Sequence, residues 1–268
     1  MNTLYINKYN AFIRSYETPT EGQAIVYLPA ISFSVIASFF DVVTHPKMPE
    51  HRAVLVDYLG SGFSDHPDDF DYSMDSHAEC VAAVLDEAGH RETTVVGHSM
   101  GGTVAIKLAL ARPDLVSNLI VGEGNVTPGG GGLASQIVTH DETEFVNEEH
   151  PRMLAELHDK ARDGDVIGVR RSNVWKHSSA LGLYRNARAL VNVEETLMNE
   201  FLTMPIPRTF IYGEKSVPSN AEEVGADTPF PNELHAHGVK TEIIPNAGHG
   251  QMFDNLDGFV DILARIAF

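Results

Sequence analysis

The stretch VVGHSMGG, residues 95–102, decides the fold of this chain, because it places Ser99 between two glycines at the end of an apolar run. Gly97 lies two residues before the serine and Gly101 two residues after it. Glycine normally destabilises a strand or a helix, so the backbone must require it here. A strand that turns abruptly into a helix creates this requirement, because the residues two positions before and after the bend crowd each other unless both lack a Cβ.

The residues on either side supply the strand and the helix that such a turn needs. Residues 93–97, TTVVG, are β-branched and predict a buried strand. Residues 102–115 carry apolar side chains at three- and four-residue spacing and predict a helix that Pro113 closes. A serine in this context matches the nucleophile elbow pattern G-x-S-x-G, and the helix N-terminus beside it can receive negative charge. Ser99 is therefore the candidate nucleophile.

Composition limits the classes of function. The chain has 268 residues, 43% of them hydrophobic, and a formal net charge of -18, which argues against nucleic acid and anionic membranes as partners. Its N-terminus lacks the apolar core of a secretory signal, and its longest apolar stretch, residues 30–40, is too short to span a bilayer. The single Cys80 and the scattered histidines give no metal-ligand spacing. We predict a cytoplasmic protein without a metal or another cofactor.

Apolar runs alternate with helical patterns along the chain, after a predicted hairpin at residues 4–17. The predicted strands are residues 24–30, 52–58, 93–97, 116–124, 208–214 and 241–248, and the predicted helices are residues 75–89, 102–115 and 256–268. This alternation predicts an α/β fold, with a mostly parallel sheet and helices on both faces.

Residues 126–206, the cap segment, interrupt this alternation. The cap segment opens with TPGGGG and continues with charged helical patterns and no strand pattern. The four glycines are not followed by G-K-[ST], so we interpret them as a hinge and not as a phosphate-binding loop. We predict a core of residues 1–125 and 207–268, with the cap segment as a helical lid.

Three stretches together resemble the α/β-hydrolase fold family. They are VLVDYLGSGFSD (54–65), VVGHSMGG (95–102) and NAGHGQMF (246–253), and the resemblance covers the chain outside the cap segment. It implies that Ser99 is the nucleophile and His249 the general base, in the family's order of serine, acid and histidine along the chain. A serine hydroxyl is a weak nucleophile until an imidazole takes its proton, which explains why both are needed.

The resemblance also implies an oxyanion hole of two backbone N–H groups. One belongs to Met100, the residue after the nucleophile. The other lies after the strand at 24–28, where the family usually has His-Gly but this chain has Pro29 and Ala30, so Ile31 is the candidate. This departure argues against a lipase or esterase of the H-G-G-G type.

The acid of the triad is displaced from its usual position. Where most members have an aspartate after the strand at 208–213, this chain has Ser216. Some members carry the acid one strand earlier, and here Glu123 stands there between Gly122 and Gly124. We expect Glu123 to orient His249, with Glu214 as the alternative.

These residues predict a cofactor-independent serine hydrolase that cleaves a carboxylic ester, thioester or lactone through an acyl-enzyme. The same constellation serves amide and C–C bond hydrolysis, whereas a dehalogenase would carry aspartate in place of Ser99. A non-catalytic ligand-binding protein of the same fold is the alternative of another class. The expected partner is a small acyl substrate, and the oligomeric state is left open. The candidate pocket residues are Phe33, Trp175, Tyr184 and Met252, although ordinary core packing explains each of them equally well.

Overall fold

Eight strands form one continuous sheet in the computed structural model, which describes residues 1–31 and 33–268, without the side chains of residues 167 and 221. The strands are β1 (Asn2–Ile6), β2 (Ala11–Glu17), β3 (Ala24–Leu28), β4 (Arg52–Asp57), β5 (Thr93–His98), β6 (Val116–Gly122), β7 (Arg208–Gly213) and β8 (Lys240–Ile244). Their spatial order is β1-β2-β4-β3-β5-β6-β7-β8. β1 and β2 form an antiparallel hairpin that joins β4, and β3 to β8 pair in parallel.

Helices cover both faces of this sheet. They are α1 (Val35–Val43), α2 (Met74–Glu87), α3 (Met100–Ala111), α4 (Gly132–Ile137), α5 (Glu142–Glu144), α6 (His150–Arg162), α7 (Val166–Lys176), α8 (Ala180–Val191), α9 (Leu197–Thr203), α10 (Pro231–Ala236), α11 (Gln251–Asp254) and α12 (Leu256–Ile266). Short 3₁₀ turns occupy Asn7–Tyr9, Glu214–Ser216 and Ala221–Glu223, and a π-helical turn occupies Phe145–Glu149. None of the described helices has the length and apolar character required to cross a membrane.

The strand side chains alternate between two hydrophobic cores. Val26 and Val95 belong to the core shared with α2 and α3, whereas Ile25 and Val96 belong to the core shared with α1 and α12. This two-residue alternation buries both faces, which is why the strands read as continuous apolar runs. The predicted mostly parallel sheet with helices on both faces is confirmed.

Three helices outside the cap segment were not predicted: α1, α10 and the four-residue α11. α1 begins inside the apolar run at residues 30–40, whose β-branched and aromatic residues do not show a polar face, and it continues to Val43. Its start is set by Ser34, whose Oγ accepts a hydrogen bond from the N–H of Ala37 at 3.3 Å. α10 is only six residues long and begins at Pro231, so its pattern is too short to identify.

The cap segment is helical, with α4 to α9 between β6 and β7. Polar contacts, one buried and one exposed, join the cap segment to the core. His77 of α2 bonds Asn186 of α8 through Nε2 at 2.8 Å, and Arg170 of α7 pairs with Asp41 of α1 at 3.0 Å. Its division from the core as a lid stays a prediction.

Candidate active site

The turn between β5 and α3 holds Ser99 in a strained backbone conformation. Its φ of 53° and ψ of -122° lie where residues with a Cβ are rarely found. A Cβ on Gly97 would lie 2.2 Å from the carbonyl oxygen of Gly101, so the predicted crowding across the bend is present. Gly101 has a second reason to lack a Cβ, because that atom would lie 2.1 Å from the carbonyl oxygen of Leu28 at the end of β3.

This close approach places the end of β3 beside the start of α3. Met100 is the first residue of α3, and the first N–H groups of a helix have no partner within the helix. Ile31 follows β3 and lines the same cavity as Ser99. The two N–H groups predicted for the oxyanion hole therefore belong to adjacent segments, and their role stays a prediction.

Glu123 lies at the end of β6 and faces the predicted base. Its side chain is fully buried, and its Oε2 lies 2.7 Å from Nδ1 of His249. Its Oε1 accepts a hydrogen bond from the N–H of Gly213 at 2.7 Å. Both carboxylate oxygens are therefore used, which fixes the orientation of Glu123 and, through it, the imidazole.

At the turn after β6, the left-handed backbone conformation is adopted by Glu123 and not by Gly122 or Gly124. Glu123 itself adopts the positive φ, 45°, and the glycines instead allow close packing. A Cβ on Gly122 would lie 2.6 Å from Oε1 of Gln251, and one on Gly124 would lie 2.9 Å from Cα of Gly102 in α3. The glycines let α3 and α11 pack closely around the glutamate.

The ionisation of this pair follows from its burial and its contacts. Burial alone would raise the pKa of Glu123, but the hydrogen bond and charge of His249, together with the Gly213 amide, lower it. Burial alone would lower the pKa of His249, but the hydrogen bond and charge of Glu123 and the charge of Asp227 raise it. Since Nδ1 of His249 faces carboxylates, Nε2 is the nitrogen left to accept a proton.

Asp227 is a second carboxylate that the sequence did not reveal. Its Oδ2 lies 3.6 Å from Nδ1 of His249, which is beyond hydrogen-bond distance. Burial raises the pKa of Asp227 and outweighs the opposing charge of His249. Asp227 lies between β7 and α10, in a loop whose path depends on tertiary packing.

The alternative acid, Glu214, forms its hydrogen bond to a backbone N–H group and not to His249. Its Oε2 accepts a hydrogen bond from the N–H of Asn246 at 2.7 Å, in the loop after β8. Glu214 therefore supports the loop that carries His249, and the structure pairs His249 with Glu123.

His98, the residue before Ser99 in the elbow, makes a hydrogen bond to the backbone of His249. Its Nε2 donates a hydrogen bond to the carbonyl oxygen of His249 at 2.7 Å, which requires the tautomer with a proton on Nε2. Burial, followed by the charge of His249, lowers the pKa of His98 to about 4. His98 is therefore a neutral donor that holds the backbone at His249.

Ser99, Glu123 and His249 open on one cavity of about 530 Å³. Of the predicted pocket residues, Phe33 lines this cavity. Other lining residues that the sequence did not indicate include Asn125, Leu133, Arg171, Leu190, Asp227 and Phe253. They come from the loop after β6, the cap segment, the loop after β7 and α11, which no local pattern brings together.

The structure places the other three predicted pocket residues in the core. Trp175 is buried and stacks on His150, with ring centroids 5.6 Å apart. The Tyr184 hydroxyl donates to the carbonyl oxygen of His140 at 3.0 Å, and Met252 packs in the core shared with α1 and α12. The sequence alone could not separate these packing roles from contacts with a ligand.

The model of a known family matches residues 35–173, just over half of the chain, and its description is alpha/beta hydrolase fold. An uncharacterised protein of Mycobacterium tuberculosis is 27% identical over 98% of this chain and 80% of that protein. A 2-hydroxymuconate semialdehyde hydrolase of Pseudomonas putida is 28% identical over 72% of this chain and 62% of that protein.

A solved structure has a similar overall fold. It is an esterase of Exiguobacterium antarcticum, with a TM-score of 0.78 and 21% identity, over 99% of this chain and 98% of the esterase. At this identity the likeness shows the fold.

Proposed function

The chain belongs to the α/β hydrolase fold family, and we propose that within it the protein is a serine hydrolase that cleaves carboxylic esters, thioesters or lactones. The observation that carries this proposal is the 2.7 Å contact between His249 Nδ1 and Glu123 Oε2, beside a strained Ser99 that opens on the same cavity. We propose that Ser99, His249 and Glu123 act together as a catalytic triad of serine, imidazole and buried carboxylate.

The proposed reaction begins with attack of Ser99 Oγ on the substrate carbonyl carbon, while Nε2 of His249 takes the hydroxyl proton. The charge that develops on the carbonyl oxygen is stabilised by the N–H groups of Met100 and Ile31. The tetrahedral intermediate expels the leaving group, which receives the proton from His249. Water then attacks the acyl-enzyme with His249 again as base, and Ser99 is released.

We propose that the cap segment acts as a lid. Gly131, Gly132, Leu133, Arg171 and Leu190 all belong to it and line the cavity that holds Ser99. A cover of this kind excludes water and selects the shape of the substrate. A cavity of about 530 Å³ fits a small acyl compound.

A second candidate is hydrolysis of a C–C bond next to a carbonyl. It is favoured by the 28% identity to the 2-hydroxymuconate semialdehyde hydrolase over 72% of the chain. The two reactions differ in the leaving group, which is a carbanion equivalent in one and an alcohol, thiol or enol in the other. A panel of esters, thioesters, lactones, amides and β-diketone-type substrates distinguishes them.

The experiment that tests the proposal is covalent labelling by a fluorophosphonate, which reacts with activated serines. Wild type should be labelled at Ser99, and Ser99→Ala should be neither labelled nor active while it keeps its fold. Ser64 is a suitable control, because it is a buried serine whose Oγ bonds the carbonyl oxygen of Asp57 at 2.7 Å. Labelling at Ser64, or activity retained in Ser99→Ala, would contradict the proposal, and a non-catalytic ligand-binding protein would show no labelling.

A further inference from the structure

Arg171 brings a positive charge into the candidate active-site cavity. It lies on α7 of the cap segment and lines the cavity together with Ser99 and His249. Its charge is close enough to lower the pKa of His249 slightly against the opposing effect of Glu123. The cavity therefore has the nucleophile and base on the sheet side and a cation on the cap side.

The surroundings of Arg171 do not neutralise it. The guanidinium carbon lies 5.5 Å from the ring centroid of Phe33, which itself stacks on Phe253 at 5.1 Å. Within residues 1–31 and 33–268, no carboxylate forms an ion pair with Arg171, and its buried Nε has no hydrogen-bond partner. The carboxylates that line the cavity, Glu123 and Asp227, lie against His249.

An arginine in this position remains charged. Burial lowers the pKa of Arg171, with the charge of Asp165 opposing the shift, but a guanidinium is not deprotonated at neutral pH. Arg171 is half-buried, but its Nε is buried without a hydrogen-bond partner, and leaving a buried polar group unpaired is costly to the folded protein. A polar group of a ligand in the cavity would remove this cost.

The neighbouring Arg170, in contrast to Arg171, has a carboxylate partner. Its guanidinium pairs with Asp41 at 3.0 Å and donates to the carbonyl oxygen of Ala37 at 3.1 Å. It also lies over the ring of Phe253, 4.8 Å from the centroid. Arg170 thus links α7 to α1, and its charge is paired with that of Asp41. It is therefore a matched control for Arg171.

We propose that Arg171 binds a carboxylate on the substrate, away from the bond that is cleaved. This inference rests on the proposed function and narrows its substrate class to acyl compounds with an anionic end. A guanidinium presents parallel N–H donors that fit the two oxygens of a carboxylate. Ile31, Phe33, Leu133 and Leu190 supply apolar wall in the same cavity, so the substrate has an apolar chain between its carboxylate and its reacting carbonyl.

Two esters of equal chain length test the preference: the monophenyl ester of adipic acid, which is anionic, and phenyl hexanoate, which is neutral. Wild type should have the higher kcat/KM for the anionic ester at pH 8. Arg171→Gln should reduce the anionic-to-neutral ratio by about 10- to 100-fold, the range expected for one charged hydrogen bond. Arg170→Gln should keep the wild-type ratio, and Arg171→Lys should keep part of it because it retains the charge.

Binding without turnover separates this inference from the proposed function. In Ser99→Ala protein, calorimetry should show tighter binding of the anionic ester than of the neutral one, and adding Arg171→Gln should remove the difference. If no ester is hydrolysed but this difference is found, the proposed function fails and the role of Arg171 stands. Arg171→Leu replaces Arg171→Gln if the glutamine variant does not fold. The inference is overturned if neither kcat/KM of wild type nor binding to the Ser99→Ala protein favours the anionic ester, or if the Arg171 variants lose activity or binding equally for both esters.

Discussion

His249 and Glu123 are joined by a 2.7 Å contact between Nδ1 and Oε2, although 126 positions separate them in the chain. Glu123 stands at the end of β6, and His249 stands in the loop that follows β8. β7 lies between these strands, and its last residue, Gly213, donates its N–H to the other carboxylate oxygen. The sheet order thus determines which acid can reach the histidine.

Glu123→Gln should lower kcat by up to about 10⁴-fold, because a neutral amide neither fixes the tautomer of His249 nor stabilises the imidazolium. KM should change far less, since the side chain is buried behind the imidazole. Steady-state kinetics on the best ester of the panel gives both constants.

Glu214→Gln is the matched control for this prediction. Glu214 accepts from the Asn246 N–H and forms no hydrogen bond or ion pair with His249 in the described part of the chain, so kcat should stay within about a few-fold of wild type. The assignment of the acid is wrong if Glu214→Gln is the more damaging variant.

Asp227→Asn should have a small effect alone and a larger one beside Glu123→Gln. At 3.6 Å from Nδ1, Asp227 adds charge without a hydrogen bond, so the single variant should change kcat by only about a few-fold. In Glu123→Gln, Asp227 is the remaining carboxylate next to the imidazole. The double variant should therefore be slower than Glu123→Gln, and equal rates would show that Asp227 does not support the base.

The strand-to-helix turn at Ser99 could be predicted from the sequence, because the glycines, the strand and the helix that define it are adjacent in the chain. The pairing of Glu123 with His249 was expected from the resemblance to family members that carry the acid one strand earlier than usual. The sequence left Glu214 open, because it ends the neighbouring strand and only side-chain direction distinguishes the two glutamates.

Asp227 and Arg171 lay beyond the reach of sequence reasoning. Asp227 reaches the site through a long loop after β7, and no local pattern determines how that loop folds. Arg171 follows Arg170 on a helix without a clear apolar face, so the residues alone do not tell which guanidinium enters the cavity. Trp175 was misleading for a related reason, because an aromatic residue in a helical cap packs on its neighbours, here His150, as readily as on a ligand.

The pH dependence of kcat/KM should show an acidic limb with an apparent pKa above the ordinary histidine value of 6.5, since contacts with Glu123 and Asp227 raise the pKa of His249. Only the neutral imidazole accepts the proton of Ser99, so activity is lost as the pH falls through this raised value. Glu123→Gln removes the charge that favours the imidazolium, and should move the limb to lower pH. A limb that stays in place in Glu123→Gln would contradict the contact, provided that chemistry limits the rate.

Gly97→Ala should destabilise the fold as well as abolish labelling of Ser99. The added Cβ would lie 2.2 Å from the carbonyl oxygen of Gly101, and this backbone cannot shift without moving the nucleophile. We expect a loss of about 3 kcal/mol or more in the free energy of unfolding, which urea denaturation measures. Gly132→Ala is the control, because a Cβ there meets no described atom within 4 Å and should change stability by less than about 1 kcal/mol. If Gly97→Ala is as stable as Gly132→Ala and as reactive toward the fluorophosphonate as wild type, then the tight strand-to-helix turn does not determine the position of Ser99.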